Sequence, residues 1–318
     1  MDDRQINKWL RRRFAPTGWA LVGYFVLMNL LVMMAMACEV MTDYLRNAAA
    51  GDFWYVPDES ALMGNAWGYI LAAAVALTIL YAWKGGDFWK DEVFAREKPM
   101  GISVFACMLC LCAGSQMVNS LWISLLEGIL NLFGLSAMGT LEQVSGMSDT
   151  VSMFLYSAIL APVTEELIFR GFMLRTLRPY GKRFAIFGSA FLFGLFHGNL
   201  LQTPYAFLMG LILGYVAVEY SIGWSIGIHM FNNLVLADLL TRLTANLPEG
   251  IVSGINLVLF GGCFAAGLAI LNSRRQEIQA YRCSEWMDRR CLKCFFGNAG
   301  VIVLMVLMLG NMVLALFA

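Results

Sequence analysis

The sequence predicts an all-α fold, a polytopic transmembrane helical bundle of about eight or nine spans. Of its 318 residues, 59% are hydrophobic and 14% are charged, whereas soluble globular chains carry about 45–50% and about 25%. Segments of about 20 apolar residues, the length that crosses a bilayer, recur along the chain. Lipid admits only helices and closed barrels, and no ten-residue alternating pattern of the kind that barrel strands show is present. The spans are therefore predicted to be helices.

The spans and one exception can be placed along the chain. Nine candidates are predicted at roughly 18–40, 61–83, 101–122, 150–174, 184–200, 204–221, 224–241, 251–272 and 297–317. The first is interpreted as an anchor, because it is about 20 residues long and lacks a small-residue cleavage site. Residues 123–138 are apolar and contain no basic residue. A tenth span there would break the charge pattern, so a re-entrant or interfacial helix is expected.

The basic residues are distributed unequally between the loops. One set of loops holds Arg4, Lys8, Arg11, Arg12, Arg13; Lys84, Lys90, Arg96, Lys98; Arg175, Arg178, Lys182, Arg183; and Arg274, Arg275, Arg282, Arg289, Arg290, Lys293. The opposite side carries Arg46 and Arg242. The positive-inside rule then predicts a multi-pass protein of the cell membrane with a cytoplasmic N-terminus and its C-terminus outside. The formal net charge of zero argues against a nucleic-acid partner.

Three regions are expected within one helical domain. Residues 1–100 are predicted to form N-terminal anchoring spans and a cytoplasmic linker. Residues 101–241 hold every candidate catalytic group, within 165–233, and residues 242–318 add C-terminal spans around a basic loop. Small residues in the central spans, such as the pattern Gly210-x-x-x-Gly214, are typical of closely packed helices.

A cluster of charges interrupts one apolar span. Glu166 and Arg170 are four residues apart and share a helix face, whereas Glu165 points about 100° away. Arg170 is thus expected to neutralise Glu166 and leave Glu165 free as a general base near neutral pH, although a buried ion pair that only fixes the helix is the alternative. Pro162, just before the pair, is expected to kink the helix or start it afresh.

The chain has two histidines, and both lie in apolar stretches. His197 follows Phe193 by four residues, and His229 precedes Asn233 by four, so each pair shares a helix face. His229 and Asn233 could present N–H donors to one point, as an oxyanion hole requires. With a carboxylate, the histidines could instead hold a divalent metal such as zinc, with Glu165, His197 and His229 as ligands. A histidine that is a satisfied core residue is the third interpretation.

These motifs, in this order on successive apolar helices, resemble those of the CPBP family, which includes the type II CAAX prenyl endopeptidases and bacteriocin self-immunity proteins. The resemblance covers roughly residues 150–240. It implies an intramembrane endopeptidase with a membrane-embedded active site, in which Glu165 activates water and His197 assists the water or the metal. His229 and Asn233 would stabilise the oxyanion, with Glu166, Arg170 and Phe193 in support. The implied partners are a peptide or membrane-protein substrate and the lipid bilayer.

Two alternatives and several residues remain open. A non-catalytic immunity or binding protein would carry the same helices, and a proton-coupled transporter would also use buried acids and histidines, although the inverted repeats common in transporters are missing. No motif role is predicted for Glu219 and Asp238. Cys283, Cys291 and Cys294 lie in the last basic loop and are interpreted as reduced thiols, with acylation or a zinc site as alternatives.

Overall fold

A computed structural model describes residues 2–56, 62, 64–139, 150–285 and 287–317, and the chain is built from helices. In chain order these are α1 (Asp3–Ala49), α2 (Trp67–Lys84), α3 (Ile102–Asn131), α4 (Val151–Tyr180), α5 (Lys182–Phe196), α6 (Thr203–Glu219), α7 (222–244), α8 (Glu249–Ser273), α9 (Arg275–Ser284), α10 (Arg289–Phe296) and α11 (Ala299–Leu314). A short π-helical segment, Phe88–Val93, follows α2. The described residues contain no strand, and the predicted all-α membrane bundle is confirmed.

The nine predicted spans are not all matched by helices of spanning length. Within the described residues, five helices are long and apolar enough to cross a membrane, namely α1, α2, α3, α4 and α8. Helices α10 and α11 together make a sixth if they form one span bent by 64°. Helices α5 and α6 have 15 and 17 residues, fewer than the about 20 that cross the hydrocarbon core. Apolar composition marked these shorter helices as spans, but it does not fix their length.

The separate helix expected over residues 123–138 is not observed. Helix α3 continues without a break for 30 residues and ends at Asn131. The chain then turns at Gly134, whose φ of +69° suits glycine. The Glu127 carboxylate accepts hydrogen bonds from Ser136 Oγ at 3.0 Å and from the Ala137 amide at 2.6 Å. The prediction was wrong because no residue before this turn stops the helix.

Close approaches between helices set the position of the central layer. Gly210 of α6 faces α5 so closely that a Cβ atom there would lie 2.9 Å from Ala190 Cα, as the small-residue pattern predicted. Gly18 of α1 similarly meets the backbone of α11, where a Cβ would lie 2.5 Å from Val301 N. Helix α5 is thus held directly against α6, and its residues are oriented by that contact.

An aromatic cluster joins the terminal helices to this layer. Phe14 of α1, Phe184 of α5 and Phe295 of α10 are fully buried and pack with centroid separations of 5.4–5.9 Å. Tyr180, at the end of α4, packs edge-on against Phe14 at 4.9 Å. Aromatic groups of this size bury large apolar areas. They fix the basic end of α5, while its other end carries Phe193 and is followed by His197.

Helix α4 contains two widened turns around its charged residues. It is π-helical at Tyr156–Leu160 and at Glu166–Leu174, and α-helical at Ala161–Glu165 between them. Pro162 is the second residue of the α-helical turn. The helix continues through Pro162 as one element, Val151–Tyr180, so of the expected kink or fresh start, the fresh start is not observed. The π-helical turns on either side are of a kind that is frequent at functional sites.

Candidate active site

Glu166 is fully buried and is held by side chains from two helices. Arg170 Nη1 lies 2.8 Å from Glu166 Oε1, and neither side chain is exposed, so the pairing predicted from their spacing is observed. From α7, the Ser225 hydroxyl donates to Glu166 Oε2 at 2.5 Å. His229 Nδ1 lies 3.0 Å from Glu166 Oε1. A buried carboxylate requires such partners, and Glu166 is thus committed to this group.

His229 lies between the two adjacent carboxylates. Its Nδ1 faces Glu166, and its Nε2 lies 3.8 Å from Glu165 Oε2. Because Nδ1 faces a carboxylate acceptor, the hydrogen is assigned to Nδ1. Nε2 is then free to exchange a proton on the side of Glu165. The imidazole can donate a hydrogen bond from Nε2 only in its charged form.

Glu165 has a more open environment than its neighbour. Its side chain is 26% exposed, against 0% for Glu166. Tyr24 of α1 and Tyr156 of α4 lie within electrostatic range of it. A general base that activates water must be reached by solvent and be able to accept a proton. Glu165 is partly exposed and lies beside an imidazole nitrogen, as such a base would.

Asn233 belongs to a chain of hydrogen bonds. Gln116 Nε2 donates to Tyr205 Oη at 2.8 Å, and Tyr205 Oη donates to Asn232 Oδ1 at 2.6 Å. Asn232 Nδ2 donates to Asn233 Oδ1 at 3.0 Å, and Asn233 Nδ2 donates to Ser157 O at 3.1 Å. This chain fixes the orientation of the Asn233 amide. One of its two N–H groups is used on Ser157.

Phe193 connects the two histidines. Its ring packs edge-on against His197 at 4.9 Å and against His229 at 5.8 Å. Arg170 lies over the same ring, 4.1 Å from the centroid, in a cation–π contact. His197 Nδ1 lies 2.9 Å from Phe193 O, at the exposed C-terminal end of α5. His197 therefore borders the site from the side of α5.

The alternative set of metal ligands does not fit this arrangement. In the part of the chain that the structure describes, no three His, Cys, Asp or Glu side chains are grouped so that they could hold a metal ion. Glu165, His197 and His229 are all described, so the predicted zinc ligands are not arranged as a metal site. The same holds for Cys283, Cys291 and Cys294, which are free thiols.

The two acids without a predicted role, Glu219 and Asp238, form ion pairs with basic side chains. Glu219 binds Lys182 at 3.1 Å, Lys98 at 3.4 Å and Tyr281 Oη at 3.1 Å. Burial disfavours the charged form of Lys182, but its hydrogen bond to Glu219 outweighs this effect and raises the pKa of Lys182. Asp238 pairs with Arg242 at 2.8 Å, four residues on. Neither Glu219 nor Asp238 shares a described hydrogen bond with the group around Glu166.

Several residues of the site were not predicted. They are Ser157, Tyr205, Ser225 and Asn232, together with Gln116 and Tyr24. Each is an ordinary residue of an apolar helix, and its contact crosses to another helix or turn. Asn232 could have been noticed beside Asn233 as a second amide in an apolar run, whereas the others gave no signal in the sequence.

Comparison with known families gives one result for this region. Residues 147–235 match the family model described as type II CAAX prenyl endopeptidase Rce1-like. Neither the curated proteins nor the solved structures gave a match to the chain. The matched range includes Glu165, Glu166, His197, His229 and Asn233. The match confirms the resemblance to the CPBP family of intramembrane endopeptidases over these residues and supports a membrane-embedded protease of the CAAX endopeptidase type.

Proposed function

We propose that this chain is an intramembrane endopeptidase in which Glu165 activates the attacking water. The observation that supports this role most is the difference between the two adjacent carboxylates. Glu166 is fully buried and committed to Arg170, Ser225 and His229, whereas Glu165 is 26% exposed beside His229 Nε2. One carboxylate orients the histidine and the other is left to accept a proton.

These positions support the following steps of hydrolysis. Glu165 takes a proton from water, and the hydroxide oxygen forms a bond to the carbonyl carbon of the substrate. The negative charge that develops on the carbonyl oxygen is stabilised by the second N–H of Asn233 and by His229 when it carries a proton on Nε2. When the C–N bond breaks, Glu165 returns its proton to the leaving amine. His197, at the exposed edge of the site, assists the water.

We assign the substrate to membrane-associated or exported peptides and proteins. A site reached from within a helical bundle in lipid receives chains that already lie at the membrane, and the family supports a peptide or protein substrate in general. Residues 101–241 would form the catalytic core, with residues 1–100 and 242–318 holding it. A binding or immunity protein without catalysis, and a proton-coupled transporter, are the competing functions.

A comparison of isosteric variants tests the reaction and the substrate together. The peptides of cells that contain the wild-type chain are compared with those of Glu165→Gln cells, at matched protein levels in the membrane. A matched control is Glu219→Gln, which changes an acid outside the site in the same way. We expect a set of cleavage products to be lost with Glu165→Gln and retained with Glu219→Gln. A phenotype that survives Glu165→Gln would instead indicate a binding protein.

A chelator separates the two chemical types of peptidase. With water activated by Glu165 alone, we expect cleavage of an identified substrate by purified protein to persist after treatment with a strong zinc chelator. Activity that disappears with the chelator and returns with zinc would contradict this mechanism. Glu165 and the histidines would then act as ligands in an arrangement that differs from the one described above.

We also propose that the N-terminus and the loop 273–296 are cytoplasmic, from the distribution of basic residues. Labelling with a membrane-impermeant maleimide from outside intact cells should then miss Cys283, which is exposed. Cys291 and Cys294 are buried, and burial followed by the nearby Asp288 raises the pKa of Cys291 to about 11. These two thiols should react poorly from either side, so Cys283 alone reports orientation. Strong labelling of Cys283 from outside would reverse the assignment.

A further inference from the structure

A pocket of about 440 Å³ lies where α8, α9 and the beginning of α5 meet. It is separate from the candidate active site in its residues. Its lining combines three arginines with apolar and polar neighbours, and consists of Arg183, Leu271, Arg275, Ile278, Gln279, Arg282 and Cys283. The lining contains no acidic residue, so the pocket is positively charged.

The three arginines of the pocket differ from the other basic residues at this edge. Arg274 pairs with Glu277 at 2.8 Å, and Lys182 pairs with Glu219 at 3.1 Å. Arg183, Arg275 and Arg282 form no ion pair with any acid in the described ranges. Like charges that share a pocket repel one another unless an anion lies among them.

The backbone holds one of these guanidinium groups in place. Arg183 Nη1 donates to the carbonyl oxygen of Arg282 at 2.9 Å and to that of Glu285 at 3.3 Å. Its position is thus tied to the end of α9, on which Arg275 and Arg282 also lie. Two nitrogens of Arg183 remain for a further acceptor, and a planar guanidinium suits two oxygens of one phosphate.

The pocket also lies at the end of an apolar helix of spanning length. Helix α8 ends at Ser273, and Leu271 is two residues before this end. Leu271 and Ile278 are 44% and 38% exposed, and they give the pocket an apolar wall. Basic residues next to a membrane span are attracted to anionic lipid surfaces, by about 1 kcal/mol each. The combination of charge and apolar wall matches a lipid with a charged headgroup.

We propose that this pocket binds the phosphate of an anionic phospholipid headgroup, with Arg183, Arg275 and Arg282 as donors. The glycerol and first acyl carbons lie against Leu271 and Ile278. Free phosphate offers the same oxygens but has no apolar part to contact Leu271 and Ile278. A phospholipid is therefore expected to bind more tightly than free phosphate.

The test uses the full chain in detergent and the double variant Arg275→Gln/Arg282→Gln. Both side chains are exposed and hold no other residue through a hydrogen bond in the described structure, so the variant is expected to fold. The matched control, Arg4→Gln/Arg12→Gln, removes the same charge from exposed positions of α1. Binding of short-chain phosphatidylglycerol is measured by native mass spectrometry and by the rise in the unfolding temperature. Phosphatidylcholine of equal chain length and inorganic phosphate are the comparison arms.

We expect phosphatidylglycerol to bind the wild type and the control, and to bind the pocket variant at least about tenfold more weakly, because two charge-assisted hydrogen-bond donors are lost. Phosphatidylcholine and inorganic phosphate should bind the wild type much more weakly than phosphatidylglycerol does. Equal loss of binding in the control variant would overturn the proposal, because it would show diffuse attraction. Equal binding of phosphatidylcholine, or of inorganic phosphate, would also overturn it.

Discussion

Two glutamates of this chain are each held by three side chains. Glu166 lies inside the helical bundle, and Glu219 lies at its edge. Glu166 contacts Arg170, Ser225 and His229, and both Glu166 and Arg170 are fully buried. All four residues lie on α4 and α7, so the contacts lock these two helices together. The group also determines which way the His229 imidazole faces, and it is the support of the candidate active site.

At the edge, Glu219 contacts Lys98, Lys182 and Tyr281. Its side chain is 13% exposed, but the two lysines are 49% and 30% exposed. Water and salt screen these charges, so exposed ion pairs contribute only about 0–1 kcal/mol. Removing one member of a buried pair costs about 3–5 kcal/mol, since it leaves a charge without compensation. Glu166 and Glu219 have the same number of contacts, and the difference in burial decides how much those contacts stabilise the fold.

The largest expected effect is on stability inside the bundle. Arg170→Met should lower the free energy of unfolding by about 3–5 kcal/mol, because the Glu166 charge is left buried without its cation. The double variant Arg170→Met/Glu166→Gln should lose less than the sum of the two single changes, as expected for residues in contact. Unfolding in mixed micelles measures both. A loss below about 1 kcal/mol for Arg170→Met, the value of an exposed pair, would remove the contrast between the two groups.

The next effect is on catalysis and depends on the proposed function. Asn233→Ala removes one donor to the developing oxyanion and should lower turnover by about 10²–10³-fold. Substrate binding should remain nearly intact, because the interaction strengthens in the transition state. Steady-state kinetics on an identified substrate separate the two parameters. Unchanged turnover in Asn233→Ala would disprove the oxyanion role.

A smaller effect is expected for the hydrogen-bond chain that orients this amide. Tyr205→Phe leaves Asn232 Oδ1 without its donor and Gln116 Nε2 without its acceptor, at a cost of about 1–3 kcal/mol for a buried polar group. Tyr44→Phe is the matched control, since Tyr44 is exposed and such changes stay within about 0.5 kcal/mol. Thermal unfolding of both variants tests this. Equal stability of the two would show that the buried chain contributes nothing.

The smallest effect belongs to the edge group. Lys182→Met should change the free energy of unfolding by about 0–1 kcal/mol at low salt and less at high salt. Because the pKa of Lys182 is raised above its ordinary value of 10.5 in the folded chain, its contribution is present below that value and is lost as pH rises through the raised pKa. Turnover should not change. A large, salt-independent loss of stability in Lys182→Met would show that the Glu219 group behaves like the buried Glu166 group.

Spacing within one helix predicted two contacts that lie within one helix. Glu166 and Arg170, four residues apart, form the expected pair, and Phe193 contacts His197 at the same spacing. These contacts could be predicted because helical geometry brings residues four apart onto one face. The family motif added the order of the helices, and Arg170 and Glu166 were assigned supporting positions from the sequence alone.

Contacts between helices could not be obtained in this way. The sequence did not indicate that His229 would face both Glu165 and Glu166, or that Tyr205 would hold Asn232. Such contacts depend on the rotation and depth of one helix against another, which close packing at points such as Gly210 fixes. The end of α3 at Asn131 was also missed, because apolar composition does not show where a helix ends.

The sequence by itself determined the helical membrane class, the family motif and the charge pair within α4, because composition and helical periodicity are local properties. The tertiary structure decided which of two adjacent glutamates is buried, which nitrogen of His229 faces each of them, and where three arginines line a pocket. These features depend on how the helices pack, because packing decides which side chains are buried and which are exposed. Burial in turn sets how much each charge contributes to stability.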